Sequence, residues 1–275
     1  MCFACRYFYQ SQAAYYKWKR NKVKRAVQGK VDDKIKEVFK GSRGTYGSPR
    51  VHKKLEGMDI KVSLNTVAKK MSELGLSARL KKKFKIKTTD SNHSESIAPR
   101  LLKTDEELTF NAPGKHLAGD ITYIFLDNKT YYLSVVLDLY NRDVIGWSLD
   151  DNLTHEGVIK ALHKATQRRN ITSETMFHSD RGVQYACKDF KELLKTKKIK
   201  QSMSRKGNCY DNAYVETWFK TMKNEFLWRE EFKSFEDFKM RLRNYIENWY
   251  NQERLHSSLG YLSPKEYMLT NQKAA

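Results

Sequence analysis

Three acidic residues occupy positions from which carboxylates far apart in the sequence could meet in the folded protein. Asp120 opens a predicted strand, Asp180 ends another, and Glu216 lies in a predicted long helix. Strand ends and a helix facing them can bring distant side chains together. Clustered carboxylates are the usual ligands of Mg²⁺, because hard cations prefer oxygen. Two such ions can activate one oxygen and stabilise another during in-line phosphate displacement. The three acids are therefore candidate ligands of a phosphoryl-transfer site.

The predicted helix that carries Glu216 has a polar face and an apolar face. The polar face, spaced i, i+4, i+8 and i+11, consists of Asn212, Glu216, Lys220 and Lys223. The apolar stripe beside it would pack on a sheet and direct Glu216 towards the aspartates; its members are Val215, Trp218, Phe219, Met222 and Phe226. Lys223, two turns after Glu216, would hold a phosphate near the acids. An ordinary amphipathic helix with solvated charges is the alternative interpretation.

The segment around these acids is predicted to form an α/β core. Three strands joined by tight turns are followed by alternating helices and strands, with the strands at 119–126, 130–140, 143–150, 174–180 and 200–204. Helices are predicted at 154–170, 189–199, 212–228 and 234–252. Three antiparallel strands followed by alternating elements give a mixed five-stranded sheet flanked by helices.

Basic residues are concentrated in the first part of the chain. Residues 1–100 contain 25 Lys or Arg and 8 Asp or Glu, which leaves +17 of the total net charge of +20. Such an asymmetry predicts a segment that binds a polyanion. Caps and stops predict a short helix starting at Asp32, then a helix-turn-helix whose helices start at Ser48 and Ser63. The residues expected to face DNA there are Arg50, Asn65, Thr66, Lys69 and Lys70.

Composition shifts divide the chain into five expected regions. These are a basic helical segment, a helix-turn-helix domain, a basic and polar linker, a catalytic core, and a C-terminal helix with a tail, at 1–41, 42–78, 79–110, 111–230 and 231–275. No run is apolar for long enough to cross a membrane. The start of the chain has no secretion signal, so a cytoplasmic protein is expected. Cys2 and Cys5 alone are too few ligands for zinc, and no zinc is expected.

Four motifs occur in order along the chain, namely GDITYI, HSDRGVQY, DNAYVETWFKTMKNE and YNQERLHSSLGYLSPKEY. Between Asp180 and Glu216 there are 35 residues (216 − 180 − 1). Together the motifs resemble the downstream reading-frame product of bacterial insertion-sequence transposases of the two-frame type, which carry a retroviral-integrase-like DDE core. The similarity extends from about Tyr15 to Tyr267, which is nearly the whole chain.

The resemblance implies an RNase H-like fold and a site that uses Mg²⁺, with Mn²⁺ as a substitute and two ions in all. Asp120, Asp180 and Glu216 would be the metal ligands, and Lys223 matches the basic residue seven positions after the family's glutamate. The implied reaction is cleavage of double-stranded DNA at element ends, followed by strand transfer through the freed 3′-hydroxyl. A homo-multimer on DNA is expected, as are a location at the nucleoid and an upstream reading-frame product as fusion or partner.

The chain departs from the family pattern at two places. Leu117 and Gly119 stand where the family commonly has tryptophan and threonine before the first aspartate. Leu255 replaces a proline that commonly precedes the C-terminal histidine, His256. Neither change removes a predicted metal ligand.

Three further residues have more than one expected role. Asp138, on the second predicted strand, could contact a metal, but a role in supporting the metal ligands or in stabilising a turn is favoured. His178 shares a strand face with Asp180 and could orient a ligand or be a structural histidine. Arg254, just after the last helix, could contact DNA phosphate or cap the helix end.

Two other functions remain open at this point. The first is a non-catalytic DNA-binding remnant or a modulator of transposition, which would not need the three acids. The second is an RNase H-type nuclease acting on RNA–DNA hybrids, which would not need the helix-turn-helix. The presence of both features favours the transposase.

Overall fold

The computed structural model describes residues 11–78, 95–102, 110–205 and 212–272, with the backbone alone for 20–28. The chain divides into two compact units, Met1–Lys81 and Lys82–Ala275. Among the described residues, no helix combines the length and the apolar character that a bilayer span requires.

The N-terminal unit begins with one long helix, α1 (Gln12–Gly41). The Ser11 hydroxyl caps its start by accepting a hydrogen bond from the Ala14 amide. The predicted helix start at Asp32 is wrong, because Asp32 lies inside α1 and its carboxylate pairs with the Lys70 ammonium. The tract before Asp32 lacks proline and is rich in lysine, arginine and alanine, which are strong helix formers. The helix therefore continues through the predicted boundary.

Two shorter helices follow, α2 (Ser48–Glu56) and α3 (Leu64–Glu73), and they contact each other and α1. Proline stands in the first turn of α2, where its missing amide proton costs nothing. The Ser63 hydroxyl caps α3 by accepting a hydrogen bond from the Thr66 amide. The buried residues of the two helices are Val51, Leu55, Val67 and Met71. This is the pair of helices joined by a short turn that the sequence predicts.

The C-terminal unit is built on a five-stranded sheet with the strand order β3-β2-β1-β4-β5. The strands are β1 (His116–Leu126), β2 (Lys129–Asp138), β3 (Val144–Asp150), β4 (Met176–Ser179) and β5 (Lys200–Met203). β2 pairs antiparallel with β1 and β3, whereas β4 runs parallel to both β1 and β5. All five predicted strands form, and the mixed sheet has the RNase H-like order that the resemblance implies.

Three helices pack on the sheet: α4 (His155–Arg168), α5 (Val183–Ala186) and α6 (Lys188–Thr196). They share one hydrophobic core with the strands, which includes Leu117, Val136, Ile145, Val158, Leu162, Phe177, Phe190 and Met203. Helix α4 comes closest to β3 at Gly146, where an added Cβ would lie 2.0 Å from the Ala161 carbonyl oxygen. Only glycine permits this approach.

The C-terminal part of the unit is helical, and two of its helices end in π-helical segments. α7 (Ala213–Met222) continues into the first π-helical segment, Lys223–Leu227. α8 (Phe235–Asn244) continues into the second, Tyr245–Glu253. The predicted helices at 212–228 and 234–252 are therefore present, with a change of helical pitch inside each. A further helix, α9 (Pro264–Gln272), was not predicted.

Gly146→Ala should lower the free energy of unfolding by about 1–3 kcal/mol, the usual cost of overpacking a core. The clashing Ala161 oxygen belongs to the backbone and cannot rotate away. The control is Gly41→Ala, because a Cβ there would meet nothing within 4 Å. Urea denaturation followed by tryptophan fluorescence measures both variants, and equal stabilities would contradict the close approach of α4 to β3.

Candidate active site

The pairing of β1 with β4 sets two of the predicted acids side by side. The strands run parallel, with Ala118 in register with His178. Asp120 and Asp180 each lie two residues further along, Asp120 within β1 and Asp180 directly after β4. Residues two apart on a strand point to the same face. The register therefore brings the two carboxylates to one place on the sheet.

The Asp120 carboxylate lies within electrostatic range of three other predicted site residues. Its pKa is raised well above the usual value, first by the loss of water around the carboxylate and then by the negative charges of Asp180 and Glu216. A hydrogen bond from the Ile121 amide, at 2.8 Å, and the positive charge of Lys223 oppose the rise. Asp120, Asp180, Glu216 and Lys223 therefore form one electrostatically coupled group.

The turn after β4 holds Asp180. Its Oδ1 accepts a hydrogen bond from the Gly182 amide at 2.9 Å. An added Cβ at Gly182 would lie 3.1 Å from this oxygen and 3.1 Å from the Gln184 Oε1. Glycine at this position thus lets the turn close against the carboxylate.

Helix α7 supplies the other two members of the group. Glu216 is exposed in its first turn, and Lys223 is half-buried where the first π-helical segment begins. Burial lowers the pKa of Lys223, and the charge of Asp120 acts in the opposite direction. Lys220 is exposed on the same helix, which is compatible with its predicted contact to DNA.

The donor chemistry of the group suits a hard divalent cation. Asp120, Asp180 and Glu216 offer oxygen ligands only, and the repulsion that raises the pKa of Asp120 is what a bound cation would relieve. Among the residues that the structure describes, no three His, Cys, Asp or Glu side chains form a ready-made cation cage. The three acids could hold a divalent cation if they draw together around it.

Asn212 does not lie where a DNA contact would need it. The residue is buried, and its Nδ2 donates to the Gly119 carbonyl oxygen at 3.5 Å. The helical spacing groups Asn212 with Glu216 and Lys220, which are exposed, but it does not reveal that the start of α7 lies against β1. Asn212 thus links α7 to the residue that precedes Asp120.

Asp138 performs the turn-stabilising role. Its Oδ2 accepts hydrogen bonds from the Gly114 amide at 2.9 Å and from Arg169 Nε at 2.7 Å, and its Oδ1 accepts one from the Tyr140 amide at 3.1 Å. Arg169 also pairs with Asp143 at 2.6 Å. These bonds engage both carboxylate oxygens of this buried residue, so a metal contact by Asp138 is not supported.

His178 is a structural histidine between β4 and β5. Its Nδ1 lies 2.9 Å from the Ser202 Oγ. The same Oγ accepts hydrogen bonds from the Leu101 and Leu102 amides at 2.9 and 3.0 Å. Because this oxygen already accepts two hydrogen bonds, we assign the Ser202 hydroxyl as the donor to His178 Nδ1. The imidazole proton is then on Nε2.

The predicted phosphate contact by Arg254 is wrong. Arg254 is buried, and its Nε and Nη2 each donate to the Glu225 carboxylate at 2.7 Å. A buried guanidinium with its charge already matched cannot reach DNA. Sequence reasoning placed Arg254 at a helix end, where exposure is usual, and had no means of pairing it with Glu225 from 29 residues upstream.

In the N-terminal unit, some of the residues predicted to face DNA are exposed and others are not. Lys70 is an incorrect prediction, because its ammonium pairs with Asp32 and only 13% of its side chain is exposed. Lys69, one residue earlier on α3, has 79% of its side chain exposed. Arg50 is half-buried, with its guanidinium 5.6 Å from the centre of the Tyr46 ring.

Tyr185 follows Asp180 in the HSDRGVQY motif, and from the sequence it could either contact DNA or be packed. This buried phenol has a pKa raised well above its usual value, first by burial and then by the charges of Asp120 and Asp180. Its hydroxyl therefore lies within electrostatic range of both carboxylates. The position in the HSDRGVQY motif was the only available signal, and it does not distinguish an exposed tyrosine from a packed one.

Gly119, one of the departures from the family pattern, has a packing reason. A Cβ at this position would lie 2.3 Å from the Phe177 Cζ, inside the core. The Phe177 ring occupies the space that a side chain at position 119 would need. The change therefore alters packing beside Asp120 without touching its carboxylate.

Comparison with known proteins agrees with this architecture. The integrase core domain family matches residues 111–209, a second integrase core domain family matches 197–264, and an HTH-like domain family matches 28–84. These matches and the fold define an integrase-core polynucleotidyl transferase with a helix-turn-helix unit.

Individual relatives identify the family of transferases to which the chain belongs. Transposase InsF for insertion sequence IS3A of Escherichia coli (strain K12) is 35% identical over 96% of this chain and 92% of its own length. A 31 kDa protein of insertion element IS600 from Shigella sonnei is 34% identical over 96% of both chains. The HTLV-2 integrase catalytic core domain is similar in structure, with a TM-score of 0.44 and 18% identity over 56% of this chain and 96% of that one. The chain belongs to the IS3 family of insertion-sequence transposases.

Asp120→Asn should raise the midpoint of thermal unfolding by a few degrees at pH 7 in EDTA. The pKa of Asp120 is higher in the folded protein than in the unfolded chain. The ionised carboxylate therefore destabilises the folded protein, and the loss of stability grows as the pH rises from the pKa of the unfolded chain to that of the folded protein. Asparagine stays neutral and removes the penalty.

The control for this variant is Asp151→Asn, at an exposed residue paired with Lys129, which should give no gain. Differential scanning calorimetry measures both variants. A lower midpoint for Asp120→Asn than for the wild type would mean that the carboxylates do not repel one another.

Proposed function

We propose that this transposase cleaves double-stranded DNA at the ends of its element and joins the freed 3′-hydroxyl to target DNA. Both steps are in-line displacements at phosphorus: water attacks first, and the 3′-hydroxyl attacks later in the same site. In each step one phosphorus–oxygen bond forms as another breaks, and no covalent protein–DNA intermediate is involved. The electrostatic coupling of Asp120 with Asp180, Glu216 and Lys223 is the observation that carries the proposal.

The three acids are the proposed cation ligands. Asp120, Asp180 and Glu216 would hold Mg²⁺, two ions in all and with Mn²⁺ as a substitute, which supply Lewis-acid activation of the attacking oxygen and stabilisation of the leaving oxygen. The HTLV-2 integrase core mentioned above was solved in complex with magnesium.

Lys223 is the proposed phosphate-binding residue of the site. Its ammonium lies near Asp120 yet is displaced from bulk water, and burial lowers its pKa. A cation in such a position binds a phosphate oxygen more strongly than a fully solvated lysine does. Lys220, exposed on the same helix, would extend the contact to the neighbouring DNA backbone.

The N-terminal unit would bind the element ends through α3. Asn65, Thr66 and Lys69 are exposed on this helix and could contact base edges and phosphates in a major groove. Arg50, on α2, is a further candidate for a phosphate contact. Joining two ends requires a multimer on DNA, and an upstream reading-frame product would act as fusion or partner. The protein would work in the cytoplasm at the nucleoid.

Asp120→Asn, Asp180→Asn and Glu216→Gln should each reduce strand transfer by at least about three orders of magnitude while leaving DNA affinity within about twofold, by analogy with the loss of other essential catalytic groups. Each change removes a cation ligand at nearly constant volume. The assay joins labelled end-containing DNA to a plasmid in Mg²⁺, with Asp151→Asn as an active control. Strand transfer at wild-type rates by any of the three variants would refute its assignment, and a wild-type protein that binds DNA without cutting it would favour the non-catalytic alternative.

Lys69→Ala should reduce the slope of log affinity against log salt concentration by about 1, because one phosphate contact is lost. Lys70→Ala is the matched control from the neighbouring position, and its slope should equal that of the wild type since its ammonium is paired with Asp32. Fluorescence anisotropy with end-containing duplex measures the slopes. The opposite ranking of the two variants would overturn the assignment of the DNA-facing side of α3.

A further inference from the structure

A buried ion pair that the proposed reaction does not use joins two of the sequence motifs, because Glu225 ends DNAYVETWFKTMKNE and Arg254 lies in YNQERLHSSLGYLSPKEY. Arg254 and Glu225 have 6% and 9% of their side chains exposed, and two hydrogen bonds of 2.7 Å join them in the two-pronged geometry that arginine forms with a carboxylate. The His256 ring nitrogens lie 3.3 and 3.4 Å from Arg254 Nη1, and the Tyr250 ring centre lies 5.7 Å from the guanidinium carbon.

This pair joins the helix of the active site to the C-terminal part of the unit. Glu225 lies in the first π-helical segment, two residues after Lys223. On a helix, position 225 lies about half a turn round from the face shared by Glu216 and Lys223. One side of the helix therefore presents Glu216 and Lys223 to Asp120, while the opposite side is held by Arg254.

Arg254 is itself fixed relative to the sheet. It follows the second π-helical segment, in which the Asn251 side chain makes two hydrogen bonds to the Val144 backbone. Asn251 Oδ1 accepts from the Val144 amide and Nδ2 donates to the Val144 carbonyl oxygen, both at 3.0 Å. Since Val144 begins β3, the contacts form a continuous link from the sheet, through Asn251 and Arg254, to Glu225.

Neither charge of this link is stable in the interior without the other. Burial alone would lower the pKa of Arg254, but the hydrogen bonds and charge of Glu225 outweigh burial and raise it. Removing one partner of a buried pair leaves an uncompensated charge in the interior. The guanidinium also fixes the direction of approach, which the single ammonium of lysine cannot do.

We propose that Glu225 and Arg254 are positioning residues for strand transfer. They fix the rotation and depth of the helix that carries Glu216 and Lys223, and so hold these side chains at Asp120. This inference rests on the proposed function, since it assumes that Glu216 and Lys223 act in the reaction. Displacements of about 1 Å in an active site can cost on the order of a hundredfold in rate.

The test compares Arg254→Lys with Arg169→Lys in the full-length protein. Both variants keep the positive charge and replace a largely buried guanidinium that makes two hydrogen bonds to carboxylate oxygens, but Arg169 contacts Asp138 and Asp143 rather than α7. Strand transfer is measured well below both unfolding midpoints, with kcat and the KM for end-containing DNA determined separately. We expect kcat to fall at least about tenfold for Arg254→Lys with KM unchanged, while Arg169→Lys keeps both near wild type.

Similar kcat values for the two variants would overturn the positioning role and leave the proposed function intact. Glu216→Gln is measured in parallel, because wild-type transfer by that variant would instead remove the proposed function. If Arg254→Lys does not fold, the double variant Glu225→Gln/Arg254→Gln replaces it, since removing both charges leaves none uncompensated. Reduced kcat with normal DNA affinity in the double variant supports the proposal, and full activity overturns it.

Discussion

The proposed active site depends on bringing like charges together. The parallel register of β1 and β4 sets Asp120 beside Asp180, and α7 adds Glu216. Removing water from the Asp120 carboxylate and placing other negative charges near it are both unfavourable, and the raised pKa of Asp120 expresses this cost. The hydrophobic core shared by the sheet and its helices offsets the cost elsewhere in the unit. A divalent cation bound between these carboxylates would relieve the repulsion.

Helix α7 is held by polar contacts at both of its ends as well as by its apolar stripe. At its start, Asn212 bonds to the backbone next to Asp120; beyond its end, Glu225 bonds to Arg254. Trp218 and Met222 are buried between these points. The polar contacts fix the orientation of α7, which apolar packing alone does not. The C-terminal motif thus acquires a physical role in the geometry of the active site, although none of its residues belongs to the coupled group.

The strands could be predicted from the sequence because they depend on local patterns, and the three acids because the motifs that contain them resemble those of a known family. Runs of β-branched and aromatic residues bounded by turn residues define β1 and β2, and motif spacing indicates Asp180 and Glu216. The errors concern contacts between distant residues. The sequence predicts Asp32 as a helix cap and Arg254 as a DNA contact. In the structure, Asp32 pairs with Lys70 and Arg254 pairs with Glu225. Burial of a charged residue depends on its partner in the fold, and no local pattern identifies that partner. Cys2, Cys5 and Cys209 lie outside the described residues.

Anomalous diffraction from crystals of the protein with end-containing DNA and Mn²⁺ is the most direct measurement of whether one pocket unites the three acids. We expect anomalous density bridging the carboxylates of Asp120, Asp180 and Glu216. Manganese bound elsewhere, with Glu216 directed away from both aspartates in DNA-bound protein that remains competent for strand transfer in the crystal, would contradict the account.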